Sequence, residues 1–188
     1  PPPSPPPPPS PPPPPEAPPP GCDAAMTAMP GKYTYYSTQM NWAAARDYCA
    51  MCHTKLAAPK SAADTAEIMY AIRHVETTGT GQKGDAIWLG GTSLADPSST
   101  GRPYVGNGNT SADTSNWNWY PDDGLGTFDQ RPYSNWRTNH RGEETEPNGG
   151  GGRGLGKEYC LVVWSPPHKG AGQWNDFHCA RNEAFICE

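Results

Sequence analysis

The apolar positions of the chain fall into separate runs, each with its own period. Residues 32–36, Lys32-Tyr33-Thr34-Tyr35-Tyr36, are aromatic and β-prone and predict a first strand. Thr38 is placed to cap a helix over 41–52, in which Trp42, Ala45, Cys49 and Cys52 recur every three or four residues on one face. Ser61 followed by Asp64 resembles a capping box for a second helix, with Ile68, Ile72 and Val75 as its inner stripe. Residues 86–91, Ala-Ile-Trp-Leu-Gly-Gly, read as a buried strand stopped by glycines. From 92 to 157 the periodicity gives way to Gly, Ser, Asn, Asp and Pro, punctuated by Trp117, Trp119, Tyr120, Tyr133 and Trp136. So long an irregular stretch belongs in a compact domain only as a functional loop region. Residues 158–164 and 184–188 are closing strands carrying Cys160 and Cys187.

Composition divides the 188 residues into two materials. Of 25 prolines, 16 lie in residues 1–20, so that tract cannot share the core of the rest. Consecutive prolines lack the amide hydrogens for helix or sheet and favour polyproline II, a rod of about 60 Å at this length. The expected organisation is a rod at 1–20 and one domain at 21–188. The net charge of −5, without a basic block, argues against nucleic acid. No apolar run approaches the roughly 18–20 residues needed to span a bilayer. The chain opens in proline without Met or a signal peptide, as a mature product or a fragment would. Six cysteines with much Trp, Tyr and Gly predict a secreted, disulfide-tied fold. Asn109-Thr110-Ser111 is a candidate N-glycosylation acceptor.

The candidate chemistry is a set of hard oxygen donors. Glu146-Pro147-Asn148 and Trp174-Asn175-Asp176 are joined by Glu158, two residues before Cys160. Carboxylates and amides without paired thiolates or imidazoles are calcium ligands, which bind at about 2.3–2.6 Å. Glu146, Glu158 and Asp176 would repel one another without a divalent ion. Asn148 and Asn175 can each offer a carbonyl to a metal and an NH₂ to a ligand.

These motifs carry a family resemblance. From about Cys22 to Glu188 the chain resembles a C-type lectin-like domain: Trp42 before Cys49 and Leu56 after it, Ile87-Trp88-Leu89-Gly90, Trp119 followed by Asp122-Asp123-Gly124, Tyr133-Ser134-Asn135-Trp136, and the closing Cys160, Cys179 and Cys187. The resemblance implies an α+β fold of two helices, small antiparallel sheets and a long loop region, here preceded by the polyproline II rod. It implies disulfides Cys49–Cys187 and Cys160–Cys179. Cys22–Cys52 is then the third, a departure from the family's usual N-terminal hairpin bridge. It implies one Ca²⁺ held by Glu146, Asn148, Glu158, Asn175 and Asp176, with Pro147 cis. Sugar contacts are expected from Glu146, Asn148, Glu158 and Asn175. Glu-Pro-Asn implies vicinal equatorial hydroxyls of the mannose, glucose, N-acetylglucosamine or fucose type. Gly149 stands where a second calcium site would need an acid. Residues 137–145 and the nine residues between Asn148 and Glu158 depart from the pattern and flank the site.

Other readings are weaker. Cys49-Ala50-Met51-Cys52-His53 also matches a c-type haem attachment, but the helix and Trp42 fit the lectin pattern better. His140, His168 and His178 have no common metal spacing, and Trp174 reads as a core anchor. No hydrolase constellation appears, so an enzyme is not expected. The Ser-Pro repeats resemble hydroxyproline-rich glycoproteins of green algae and plants. That implies hydroxylated, O-glycosylated prolines 1–20, with sugars also on Ser4 and Ser10, in a cell wall, extracellular matrix or flagellar surface. The expected partners are glycans, including those on the chain's own or a neighbour's rod, giving a fibre. The competing expectation is a structural or ice-binding-like module whose calcium only stabilises loops.

Overall fold

The computed structural model describes Cys22 and residues 31–78, 85–93, 114–121, 124–138, 146–149, 158–166 and 168–188, with side chains of 75–78 excepted. The proline tract with Ser4 and Ser10, as well as Asn109, Asp122, Asp123 and His140, lie outside these residues, and the Val75 side chain is among those excepted.

The described residues form six strands and two α-helices: β1 (Thr34–Met40), α1 (Trp42–Met51), α2 (Ala62–Thr78), β2 (Ala86–Thr92), β3 (Asn118–Trp119), β4 (Cys160–Trp164), β5 (Trp174–Phe177) and β6 (Glu183–Cys187). The strands make one sheet in the order β1-β6-β2-β4-β5, with β3 also on β2. β2 and β6 run parallel, and every other pair is antiparallel. The expected α+β class therefore stands, but the strands join in one mixed sheet instead of several small antiparallel ones. The parallel pairing of β2 with β6 makes that join.

Alternation along the strands separates two cores. Ile87, Leu89, Leu161, Val163, Ala184 and Ile186 face Ile68, Met69, Ala71 and Ile72 of α2, together with Trp117, Trp119, Phe128 and Trp174. Trp88, Val162 and Phe185 face Trp42, Ala45 and Cys49 of α1 and Phe177. With both faces covered, β2 is buried at all seven positions, which is why it reads as a continuous apolar run. Two buried indoles find acceptors: Trp42 donates to Leu89 O at 2.8 Å and Trp88 to Met40 O at 2.9 Å.

The helix starts follow from capping. Asn41, not Thr38, caps α1, its Oδ1 accepting from Ala44 N–H at 2.9 Å. Thr38 lies inside β1, which continues to Met40 because Met40 pairs with Glu183. At α2 the Ser61 Oγ accepts from Asp64 N–H at 3.1 Å, while Asp64 Oδ2 accepts from Lys60 N–H at 2.8 Å. Disulfides join Cys22 to Cys52, Cys49 to Cys187 and Cys160 to Cys179.

Gly91 marks the tightest point of β2. A Cβ there would come within 2.6 Å of Leu161 Cδ2, 2.9 Å of Leu161 Cβ and 3.1 Å of Phe128 Cζ. Gly91→Ala is expected to destabilise the domain by about 1–3 kcal/mol through overpacking. Urea unfolding with the disulfides intact measures this, and an unchanged midpoint would contradict it.

Candidate metal centre

The outer edge of β5 organises the candidate ligands. Trp174 is bridged on that edge by the segment around Trp136: Trp174 N–H donates to Asn135 O at 2.7 Å, and Arg137 N–H donates to Trp174 O at 2.9 Å. Asn135 Nδ2 donates to Gly172 O at 2.7 Å and fixes the segment. Glu146 N–H then donates to Arg137 O at 2.9 Å, which sets Glu146 beside β5. The Glu146–Pro147 bond is cis, as is Tyr120–Pro121, and Pro147 is buried. Trp174 itself is core, 1% exposed, against Trp119, Phe128, Tyr133 and Trp136.

Asp176, two residues beyond Trp174 on the same edge, is the hub. Its side chain is fully buried and accepts from Asn148 N–H at 3.3 Å and Gly149 N–H at 2.7 Å. Asn175 is also buried, and its Nδ2 donates to Asp176 O at 2.6 Å. The Glu146 carboxyl stands within hydrogen-bonding reach of Asp176. Glu158, half-buried just before β4, acts on Asp176 by charge. The structure thus brings the Glu146 carboxyl and the Asn148 backbone to the Asp176 carboxylate, with the Asn175 amide on the Asp176 carbonyl and Glu158 near enough to act by charge.

Electrostatics state what such a cluster costs. Burial, then the contact with Asp176, pushes the Glu146 carboxyl up to about 8, against an opposing pull from Arg137. Burial and the Asp176 charge push Glu158 up to about 7, against Arg181. Asp176 is raised as well, by burial, although Gly149, Glu146 and Asn148 donate to it. Burial and mutual repulsion thus favour the protonated form at both carboxyls. Glu146 Oε2 is buried, with no hydrogen-bond partner.

Among the described residues no three or more His, Cys, Asp or Glu side chains form a ready-made metal-holding group. Glu146, Glu158 and Asp176 interact by charge but are not gathered as such a group. The chemistry of the candidate set nevertheless fits a hard divalent cation: all donors are oxygens, three are mutually repelling carboxyls, and one buried carboxylate oxygen lacks a partner. His168 and His178 are not part of it. Each ring accepts locally through Nδ1, from Gly170 N–H and Ala180 N–H. Two participants escaped the motif reading, Gly149 through its backbone N–H and Arg137 through its charge. Their only sequence signal is adjacency to Asn148 and Trp136.

Comparison with known proteins returns one family and many structures. The family model described as Lectin C-type domain matches residues 38–188. The carbohydrate-recognition domain of cow CD23, solved in the presence of a GlcNAc2Man3 oligosaccharide, is 21% identical with a TM-score of 0.51, covering 84% of this chain and 87% of that one. The mouse scavenger receptor C-type lectin carbohydrate-recognition domain is 22% identical, TM-score 0.51, covering 84% and 89%. Human lithostathine is 19% identical, TM-score 0.50, covering 88% of each chain. These likenesses are of fold. No curated protein sequence matches the chain.

The raised carboxyls set a pH dependence for the metal-free protein. A folded pKa above the unfolded one means that the native state binds more protons, so this contribution to stability is complete below about pH 4.5 and is lost as pH rises towards about 8. In chelator the melting temperature is expected to fall across that window, and added calcium is expected to remove the fall. A flat or rising profile in chelator would contradict this.

Proposed function

The chain belongs to the C-type lectin domain family, and from that premise we propose that it is an extracellular, calcium-dependent carbohydrate-binding protein. The observation that carries the proposal is the buried Glu146–Asp176 pair, with its unpartnered Oε2, flanked by Glu158, Asn148 and Asn175. An extracellular setting fits the three disulfides. No helix among the described residues is long and apolar enough to cross a membrane. C-type lectin-like domains are generally non-enzymatic, and we assign no catalytic residue here.

Glu146, Asn148, Glu158, Asn175 and Asp176 would hold one Ca²⁺, which supplies a Lewis-acid contact for two neighbouring sugar hydroxyls. The chain's own groups do the rest. Carboxylates of Glu146 and Glu158 accept the hydroxyl protons, and the NH₂ groups of Asn148 and Asn175 donate to the hydroxyl oxygens. Asp176 keeps the Asn148 backbone in place. The Glu-Pro-Asn order favours equatorial 3- and 4-hydroxyls, the mannose, glucose, N-acetylglucosamine and fucose class. The head at 21–188 is joined to a rod at 1–20 whose glycosylated prolines serve as ligands for lectin heads. Such contacts assemble a fibre in a cell wall, matrix or flagellar surface. Each contact would be near millimolar, about −4 kcal/mol, so permanence requires repetition.

A glycan array read with calcium and with chelator tests this. Binding of a mannose-class sugar that chelator abolishes is the expected result. Glu146→Gln is expected to weaken calcium binding by at least the roughly 10- to 100-fold that loss of a mere outer-shell partner costs. A calcium-stabilised protein with no glycan hit would instead establish the structural or ice-binding-like module. No effect of calcium on melting would overturn the metal centre itself.

A further inference from the structure

Arg137 is a cation that the fold holds in place without a counter-ion among the described residues. Its backbone is fixed on both sides, N–H to Trp174 O and C=O from Glu146 N–H. Its side chain lies over Gly170, where a Cβ would come within 3.2 Å of Arg137 Cδ and 3.3 Å of Nε. Among the described residues the guanidinium makes no ion pair and no hydrogen bond, and it acts by charge alone on Glu146 and His168. The neighbouring carboxyl, Glu146, is turned to Asp176 instead.

Gly170 joins this cation to a second donor. Its N–H donates to His168 Nδ1 at 3.0 Å, so the neutral ring carries its proton on Nε2. No hydrogen bond from that Nε2 is found among the described residues. Burial and Arg137 favour the neutral ring, with Asp85 acting in the opposite sense. The imidazole is stacked on Trp164 at 4.1 Å between centroids and 14° between planes. The turn beneath it is tightly bonded: Ala171 N–H to His168 O at 3.0 Å, Gly172 N–H to Trp164 O at 2.8 Å, Gln173 N–H to Gly170 O at 2.8 Å. Exposed Lys169 adds positive charge to the same turn. Two segments 31 positions apart thus bring a half-buried guanidinium and an imidazole to one glycine, and the arginine backbone itself bonds Glu146.

We propose that Arg137 and His168 Nε2–H form an anion-recognising subsite, which takes a carboxylate or sulfate ester on the sugar held at the adjacent Glu146–Asp176 centre. The glycan bound by this domain is then acidic. The inference rests on the calcium-dependent sugar binding proposed above. A guanidinium offers parallel N–H donors that match a planar carboxylate or the edge of a sulfate. In a chain of net charge −5, beside three carboxyls, an acidic sugar is repelled unless its own charge is met. The subsite therefore selects among sugars that all offer the same pair of hydroxyls.

Three probes share one ring: methyl glucoside, methyl glucuronide and the 6-sulfate of methyl glucoside. They are titrated calorimetrically against the full chain in saturating calcium. At least one anionic probe is expected to bind about fivefold tighter than the neutral one, a partly exposed charge pair's worth. The preference should shrink at about 0.5 M salt. A gain for the glucuronide alone identifies a uronate ligand, and a gain for the sulfate alone a sulfated one. Arg137→Gln is expected to abolish the preference, read as the ratio of anionic to neutral affinity within the variant, and Arg137→Lys to restore part of it. Gly170→Ala, which crowds the side chain without removing its charge, should also reduce it. Equal binding of all three probes overturns the subsite and leaves the lectin reading standing. So does a preference that survives Arg137→Gln. No binding of any probe by the wild-type chain in calcium overturns both.

Discussion

The first and last strands of the domain form one piece of structure, and the rest depends on that closure. β1 pairs with β6, and Leu56 bridges Cys187. Lys55 and Glu188 exchange backbone hydrogen bonds at 3.2 and 2.8 Å and form an ion pair at 3.0 Å. Cys49–Cys187 seals the junction across 138 positions of sequence. A closed base changes the energetics of what is strung between its ends. Each doubling of a loop's length adds only about 0.6 kcal/mol of closure cost. A long middle segment is therefore tolerated where its described ends are fixed, as they are at β2, β3 and β4.

At the opposite edge of the sheet, protection of a strand and construction of a site use the same atoms. An outer strand exposes unpaired backbone groups that invite association. On β5 the segment 135–137 covers Trp174, and Asn175 Nδ2 covers the carbonyl of Asp176. The Asp176 carboxylate in turn satisfies the N–H groups of Asn148 and Gly149. Folding that edge shut brings Glu146 against Asp176 and buries like charges together. The cluster is thus a by-product of edge capping only if a cation is never bound. Three carboxyls held above their ordinary pKa otherwise represent stability forgone for function.

What was legible in the sequence was local. The α1 and α2 stripes and the apolar run of β2 follow from period alone, since both faces of the sheet are covered and the helices each cover one. The α1 range was legible within a residue, but its cap was misassigned: Thr38 is an equally good capping residue, and only pairing of Met40 with Glu183 keeps it in a strand. β5 went unread as a strand: Asn and Asp are poor strand formers, and their burial here is settled by partners distant in sequence. The two-residue β3 and the parallel β2–β6 pairing are set wholly by non-local contacts. Among candidate ligands, motif chemistry brought Glu146, Asn148, Glu158, Asn175 and Asp176 to notice. Arg137 and His168 had no motif, because a glycine 33 positions from one and two from the other unites them.

The placement of the anchor bears on how rod and head could meet. The chain enters the fold at Cys22, bonded to Cys52 one helical turn beyond Cys49, and hence beside β6 and β1. The carboxyl cluster sits on β5, at the other end of the order β1-β6-β2-β4-β5. Four strand spacings of about 4.8 Å put the two edges roughly 19 Å apart. A tract of consecutive prolines is stiff over several residues and turns back only at a cost. In the proposed assembly the partner of a stiff proline tract is therefore a neighbour's head, for which the tract need not turn back. Head and rod are different surfaces there, so the contact is heterologous, and its repetition builds a filament where the rotation between successive copies closes no ring.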